Sequence, residues 1–242
     1  MMFKKPLKLT AYTWESDIFT NDKPTFNKTD QTDWMRLLPP SYDEFDQPSN
    51  SYFEMATAKN CPGIKNFIGG GIKFRMWAHL HARVHPNGYV EELPGSFKGN
   101  NPAPLFAQHP KAQYEHIYQR NKTSFKLNNP WIMQCNKPTK FVFVESHYST
   151  NHLRENNVSI APGIIDFKYQ KATNIHLIVD VKEEPYELII PYGTPLMTLF
   201  PMTEEKINFD CELVSKDEYE RINITFPRCP MRKYYQLIKN LS

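Results

Sequence analysis

The stretch Ala161–Pro201 constrains the fold of this chain more than any other part of the sequence. Pro162-Gly163 and Pro191–Pro195 predict tight turns, because proline fixes φ and glycine tolerates the conformations that turns need. Apolar runs of strand length lie after and between these turns. The predicted strands are Asn174–Val181, Tyr186–Ile190 and Leu196–Phe200. Short strands separated by turn residues are typical of a β-sandwich or barrel.

The rest of the chain carries the same pattern of short strands. Pro86-Asn87-Gly88 predicts a hairpin turn. The run over 139–147 is apolar on both faces, which predicts a central strand. Further strands are predicted over 5–13, 72–85 and 207–214. With 242 residues and no visible linker, we predict one mainly β domain over 1–242, a jelly-roll-like or β-clip-like sandwich.

Two segments depart from this pattern. Residues 15–60 have little periodicity, which predicts a long irregular N-terminal arm. In residues 215–242, Ser215 is followed three residues later by Glu218, which is the spacing of a helix N-cap box. This predicts a short C-terminal helical segment. Both segments carry aromatic residues, which anchor many interfaces. The residues predicted to contact a partner are Trp34, Tyr42, Phe45, Tyr234 and Tyr235.

Composition argues against several classes of function. The net charge of +3 is too small to argue for a nucleic-acid or membrane surface. The start of the sequence lacks the apolar core of a signal peptide, and no apolar run reaches about 18 residues, so we expect neither secretion nor a membrane span. The four cysteines have no C-x-x-C spacing, which argues against a zinc knuckle. We therefore expect reduced thiols and a cytosolic setting.

A metal site is one alternative function. His79 and His81 form an H-x-H pair on a predicted strand, so both side chains project to one face. Cupins present two metal ligands in this way, and His176 is a candidate third ligand from a distant strand. Such a site would hold Fe or Zn in a metal-dependent enzyme. The acidic ligand and the framing glycines of the cupin motif are absent, and the competing interpretation is a polar strand face without metal.

A nucleotide site is a second alternative. Gly163–Tyr169 resembles the G-x-I-D-x-x-Y segment of trimeric dUTPases and dCTP deaminases, and Gly193–Leu199 resembles a later strand of that fold. The resemblance implies that Asp166 orients a water or holds the sugar and that Tyr169 stacks nearby. The arginine-serine-glycine motif and the glycine-rich tail of those enzymes are absent. The competing role of Asp166 is to accept backbone hydrogen bonds in the turn.

Short motifs taken in order resemble an uncharacterised protein family encoded by tailed phages, notably marine ones. The motifs are Lys8–Tyr12, Thr32–Met35, Cys61–Gly63, the strand ending at Trp77, Pro130–Ile132, Pro162–Asp166, Gly193–Pro195 and Phe200-Pro201. The resemblance implies a phage protein found in the host cytoplasm and then in the virion. Because no complete catalytic set is present, we expect a non-enzymatic protein without cofactors. It would act by self-association or by contact with other phage structural proteins.

Overall fold

The structure is a computed structural model of the 242-residue chain. It describes residues 6–27, 33–46, 48–94, 96, 104–110, 121–148 and 152–223. Within these ranges the strands are β1 (Leu7–Thr13), β2 (Thr25–Phe26), β3 (Ser41–Asp46), β4 (Ser51–Ala56), β5 (Ile72–Arg75), β6 (Leu80–Val84), β7 (Val90–Glu92), β8 (Phe106–Gln108), β9 (Lys122–Leu127), β10 (Ile132–Cys135), β11 (Lys140–Glu145), β12 (Ser159–Ile160), β13 (Gly163–Asp166), β14 (Ile175–Asp180), β15 (Tyr186–Ile190), β16 (Pro195–Pro201) and β17 (Ile207–Leu213). The helices are α1 (Ser16–Asn21), α2 (Asp33–Leu37), α3 (Pro62–Gly69), α4 (His152–Glu155) and α5 (Lys216–Asn223), with a 3-10 helix at Ala58–Asn60.

The predicted mainly β fold with a short C-terminal helix is confirmed. Among the described residues the strands form sheets ordered β10-β1-β17, β13-β11-β16-β5-β2, β12-β14-β9-β8, β15-β6-β7 and β3-β4. Ser215 Oγ accepts a hydrogen bond from the Glu218 N–H at 3.2 Å, as the capping spacing predicts. Residues 224–242, with Tyr234 and Tyr235, lie outside the described residues. The finer jelly-roll or β-clip arrangement stays a prediction.

The stretch Ala161–Pro201 supplies strands to three of these sheets. The three strands predicted there correspond to β14, β15 and β16, and β13 is an additional strand directly after Pro162. β11 lies between β13 and β16, so the prediction of a central strand over 139–147 is confirmed. One hydrophobic core joins the sheets, with fully buried side chains such as Phe125, Trp131 and Phe141.

The predicted single strand over 72–85 is wrong, because the chain bends between β5 and β6. β5 pairs with β16 in one sheet, and β6 pairs with β15 in another. At the bend, the Met76 N–H donates to the Thr194 carbonyl at 2.8 Å, and the Gly193 N–H donates to the Met76 carbonyl at 2.7 Å. Gly193 has a φ of +79°, which suits glycine. The β5–β6 and β15–β16 connections thus pass side by side between the five-stranded sheet and the β15-β6-β7 sheet.

The prediction of an irregular arm over 15–60 is also wrong for most of its described residues. β2 joins an edge of the five-stranded sheet through β5, and Ile18 of α1 is buried. β3 and β4 pair with each other along their full length. Within the described ranges they pair with no third strand. Because neither face of this hairpin is buried, its sequence does not need to alternate apolar and polar side chains. This explains the low periodicity of the region.

Candidate functional site

The most prominent surface feature is the hairpin of residues 41–56, here called the acidic hairpin. Its sixteen residues include four acidic side chains and neither lysine nor arginine. Large apolar side chains stand exposed on it, from 39 % for Met55 to 72 % for Tyr52. They are Tyr42, Phe45, Tyr52, Phe53 and Met55. A hairpin of this kind combines negative charge with apolar area that the described part of the chain leaves open to solvent.

Both faces of the acidic hairpin carry this mixture. On one face Phe45 lies opposite Tyr52, with ring centroids 5.0 Å apart. On the other face Tyr42 lies opposite Met55. Strand residues alternate between faces, so Tyr42 lies on one face and the acidic Asp43 that follows it lies on the other. A partner that covers either face therefore meets apolar and acidic groups together.

Local hydrogen bonds order the side chains of the acidic hairpin. Ser41 Oγ donates to Glu54 Oε1, and Tyr42 Oη donates to Glu44 Oε2 at 3.2 Å. The negative charge of Glu44, together with this hydrogen bond, raises the pKa of Tyr42. In the described ranges no cation pairs with Glu44 or Glu54. The carboxylates of Glu44 and Glu54 are thus available to a positively charged partner.

The base of the acidic hairpin is fixed to the elements beside it. Thr57 Oγ1 donates to the Pro39 carbonyl at 2.6 Å, and the Thr57 N–H donates to the Pro40 carbonyl at 3.0 Å. Asn60 Nδ2 donates to the Pro40 carbonyl at 2.9 Å. These bonds join the residues just before β3 to the residues just after β4. The strands are therefore presented from an ordered base.

Four aromatic residues connect this base to the five-stranded sheet. Phe67 on α3 packs against Phe200 on β16, with ring centroids 5.1 Å apart, and against Tyr148 at 5.5 Å. Trp34 on α2 packs on Tyr148, and its indole N–H donates to the Tyr148 carbonyl at 2.8 Å. We call Trp34, Phe67, Tyr148 and Phe200 the aromatic anchor. The half-buried Trp34, predicted to contact a partner, thus has a contact within its own chain.

The predicted metal ligands do not converge. His79 immediately precedes β6 and His81 lies on it, whereas His176 is on β14 in a different sheet. His81 Nε2 lies 2.9 Å from Glu187 Oε2, and its hydrogen bond lowers the pKa of Glu187. No group of three or more His, Cys, Asp or Glu side chains in the described ranges is arranged to hold a metal ion. The Fe or Zn alternative therefore has no ligand set in this part of the chain.

The histidines on and next to β6 belong to a polar outer sheet face. Residues 79, 81, 83 and 85 are half-buried, and the residues between them are buried. Arg83 shares Glu187 with His81, and His85 Nε2 lies 3.1 Å from Glu91 Oε2. Cross-strand pairs of this kind are ordinary stabilising contacts on an exposed sheet face. The period-two pattern in the sequence signals this face but does not identify the partners.

Asp166 ends β13 and accepts backbone hydrogen bonds. Its Oδ1 accepts from the Lys168 N–H at 2.9 Å and from the Thr139 N–H at 3.3 Å. The N–H of Tyr169 donates to the Asp166 carbonyl at 3.1 Å. This geometry is that of a carboxylate that closes a turn. Asp166 and Tyr169 are therefore neighbours in a turn, and the nucleotide-binding role given to them stays a prediction.

A cavity of about 320 Å³ lies beside the turn between β6 and β7. Gly88, Tyr89, Gln108 and Lys122 contribute to its wall. Lys122 Nζ is paired with Asp180 Oδ1 at 2.7 Å, and Gln108 Nε2 donates to the Gly88 carbonyl at 3.3 Å. Gln108 and Lys122 thus already bind other groups of the protein. They do not indicate what kind of ligand the cavity would hold.

Three of the four cysteines lie in the described part of the chain. Cys135 is buried on β10, Cys61 is exposed before α3, and Cys211 is half-buried. Burial raises the pKa of the Cys211 thiol to about 11, so it is protonated at neutral pH. A nucleophilic thiol needs the opposite shift. Cys229 lies outside the described residues.

No family model matches this sequence, and no curated protein matches it significantly. In the described part of the chain, no helix has the length and apolar character needed to cross a membrane. The acidic hairpin therefore has to be interpreted from its own geometry and charge.

Proposed function

We propose that this chain is a non-enzymatic assembly protein that binds a second copy of itself through the acidic hairpin. The observation that carries this proposal is the exposure of five large apolar side chains within sixteen residues of one hairpin. Monomeric proteins rarely expose large contiguous apolar patches, and those that do usually bind there. Aromatic residues are also enriched in the cores of interfaces.

The way in which the acidic hairpin is held supports the same proposal. The aromatic anchor and the bonds at Thr57 and Asn60 order its base before any partner arrives. Ordering before binding reduces the entropy lost on association. The strands also have unpaired edges within the described ranges, and such edges pair readily with other chains.

The biological setting of the proposal is a phage particle. Its support is the ordered set of short motifs that resembles an uncharacterised tailed-phage family. The chain would be made in the host cytoplasm and become part of the virion. Other phage structural proteins are the competing class of partner. Mass spectrometry of purified virions tests the setting, and absence of the chain from virions would contradict it.

Size-exclusion chromatography with light scattering tests the self-association itself. We expect the full chain to form oligomers, and the double variant Tyr52→Ser/Phe53→Ser to shift toward monomer. Both side chains are exposed, so the variant should keep its fold. The matched control is Tyr89→Ser/Ile164→Ser, which removes one tyrosine and one aliphatic side chain exposed elsewhere. It should remain oligomeric. A wild-type chain that is monomeric at all concentrations, or a control that dissociates equally, would overturn the proposal.

A further inference from the structure

The charge of the acidic hairpin indicates what kind of surface covers it. Its four carboxylates are Asp43, Glu44, Asp46 and Glu54. A partner that buries the hairpin aromatics also brings these carboxylates close to its own surface. Carboxylates left without cations in an interface oppose binding, because their desolvation is not compensated. The occupant must therefore combine apolar side chains with several positive charges.

One stretch of the chain itself has this composition. Residues 224–242, here called the basic segment, contain four cationic side chains and no aspartate or glutamate. The cations are Arg228, Arg232, Lys233 and Lys239. Large apolar side chains lie among and beside them, namely Ile224, Phe226, Met231, Tyr234, Tyr235, Leu237, Ile238 and Leu241. The basic segment is the longest stretch outside the described residues, and it carries the most positive charge of those stretches.

We propose that the acidic hairpin of one copy binds the basic segment of a second copy. The four carboxylates and the four cations are equal in number and opposite in sign. Arginine and tyrosine are favoured at the centres of interfaces, where the aromatic rings supply buried area. The exposed ion pairs mainly steer and orient the two chains. The inference rests on the self-association proposed above and names the segment that fills the hairpin.

This contact has a consequence for the symmetry of the assembly. Each copy offers one acidic hairpin and one basic segment, so the two sides of the contact are different surfaces. Such a head-to-tail contact generates a ring when the rotation between copies closes, and a filament when it does not. Two copies that exchange basic segments satisfy both contacts as a two-fold dimer, and copies that do not close in this way extend to a larger ring or a filament.

Zero-length cross-linking of the full chain tests which segments meet. A carbodiimide joins a carboxylate to a lysine amine only when the two are in contact. We expect links from Asp43, Glu44 or Glu54 to Lys233 or Lys239. An equal mixture of ¹⁴N-labelled and ¹⁵N-labelled chains should give linked peptides with mixed labels. Hairpin links that go only to other lysines, or links that carry only unmixed labels, would overturn the inference.

A charge exchange gives an independent test on the full chain. Asp43→Lys/Glu44→Lys and Arg232→Glu/Lys233→Glu should each weaken self-association, roughly tenfold or more. The four substitutions together should restore it, because the opposite charges then meet again. The control matched to Arg232→Glu/Lys233→Glu is Lys140→Glu/Lys206→Glu, with the same charge change at two exposed lysines of the described surface. It should leave self-association unchanged.

The two proposals fail in different ways. If Tyr52→Ser/Phe53→Ser abolishes oligomers but the charge exchange restores nothing, the hairpin is the interface and the basic segment is not its occupant. If the wild-type chain is monomeric throughout, the self-association is wrong and the inference falls with it.

Discussion

His176 on β14 shows how the environment of one side chain sets its chemistry. Its ring centroid lies 4.7 Å from that of His109. Partial burial, and then the nearby charges of His109 and Lys126, lower the pKa of His176 to about 4. The imidazole is therefore neutral at pH 7. The sequence shows only a histidine on a strand, and only the packing of β14 gives it this environment.

We expect the free energy of unfolding to fall as the pH drops from about 6.5 to about 4. In this window the unfolded chain binds a proton at His176 and the folded chain does not, so the contribution is fully present above the window and is lost through it. Because the ring is only half-buried, the loss should be about 1–2 kcal/mol. Urea unfolding across this range measures it, with His176→Gln as the reference. Parallel stability curves for the two proteins would contradict the prediction.

At the scale of the elements, two turns with similar backbone geometry have different surroundings. Gly71, between α3 and β5, has a φ of +73°, and Gly193, before β16, has a φ of +79°. A Cβ on Gly71 would lie 2.6 Å from the Leu199 carbonyl oxygen and 2.7 Å from Thr198 Cγ2. A Cβ on Gly193 would have no neighbour within 4 Å. The first glycine thus permits close packing, and the second permits only the turn.

We predict that Gly71→Ala destabilises the fold more than Gly193→Ala. The Gly193 variant has only the strained backbone, which costs about 1 kcal/mol. The Gly71 variant has the same strain and a contact with backbone that cannot move away, so about 3 kcal/mol or more is expected. Chemical denaturation of the two single variants measures the difference. Equal midpoints would show that the chain around Gly71 relaxes.

The elements also show which parts of the fold are readable in the sequence. Tyr186–Ile190 was predicted with the same limits as β15, because turn residues bound an apolar run on both sides. The break between β5 and β6 was not predicted. Met76–His79 contains neither proline nor glycine, and the bend depends on hydrogen bonds to a turn more than one hundred residues later. Local patterns do not encode such contacts.

For the whole molecule, the distribution of charge matters more than its sum. The net charge of +3 hides an acidic hairpin and a basic segment of opposite sign. From composition alone, the small net charge gives no reason to expect a charged partner. Once the acidic hairpin is known to stand exposed, the separation of the charges along the chain becomes a reason for head-to-tail assembly.

Self-association should therefore weaken as salt is added. Raising NaCl from about 0.05 M to about 0.5 M shortens the screening length from about 14 Å to about 4 Å. We expect roughly tenfold weaker association in sedimentation velocity over this range. The variant Asp43→Asn/Glu44→Gln removes two of the charges and should show a smaller salt dependence. Association that strengthens with salt would mean that the contact is mainly apolar.

By itself, the sequence determined the mainly β class, the turns of Ala161–Pro201 and the N-cap at Ser215, because these depend on neighbouring residues. The tertiary structure decided that β1 lies parallel to β17, with Leu7 beside Ile207, and that Trp34 packs on Tyr148 while Tyr52 stands exposed. Strand pairing between distant residues and the exposure of one aromatic over another depend on how the whole chain buries its apolar surface. No short stretch of sequence contains that information.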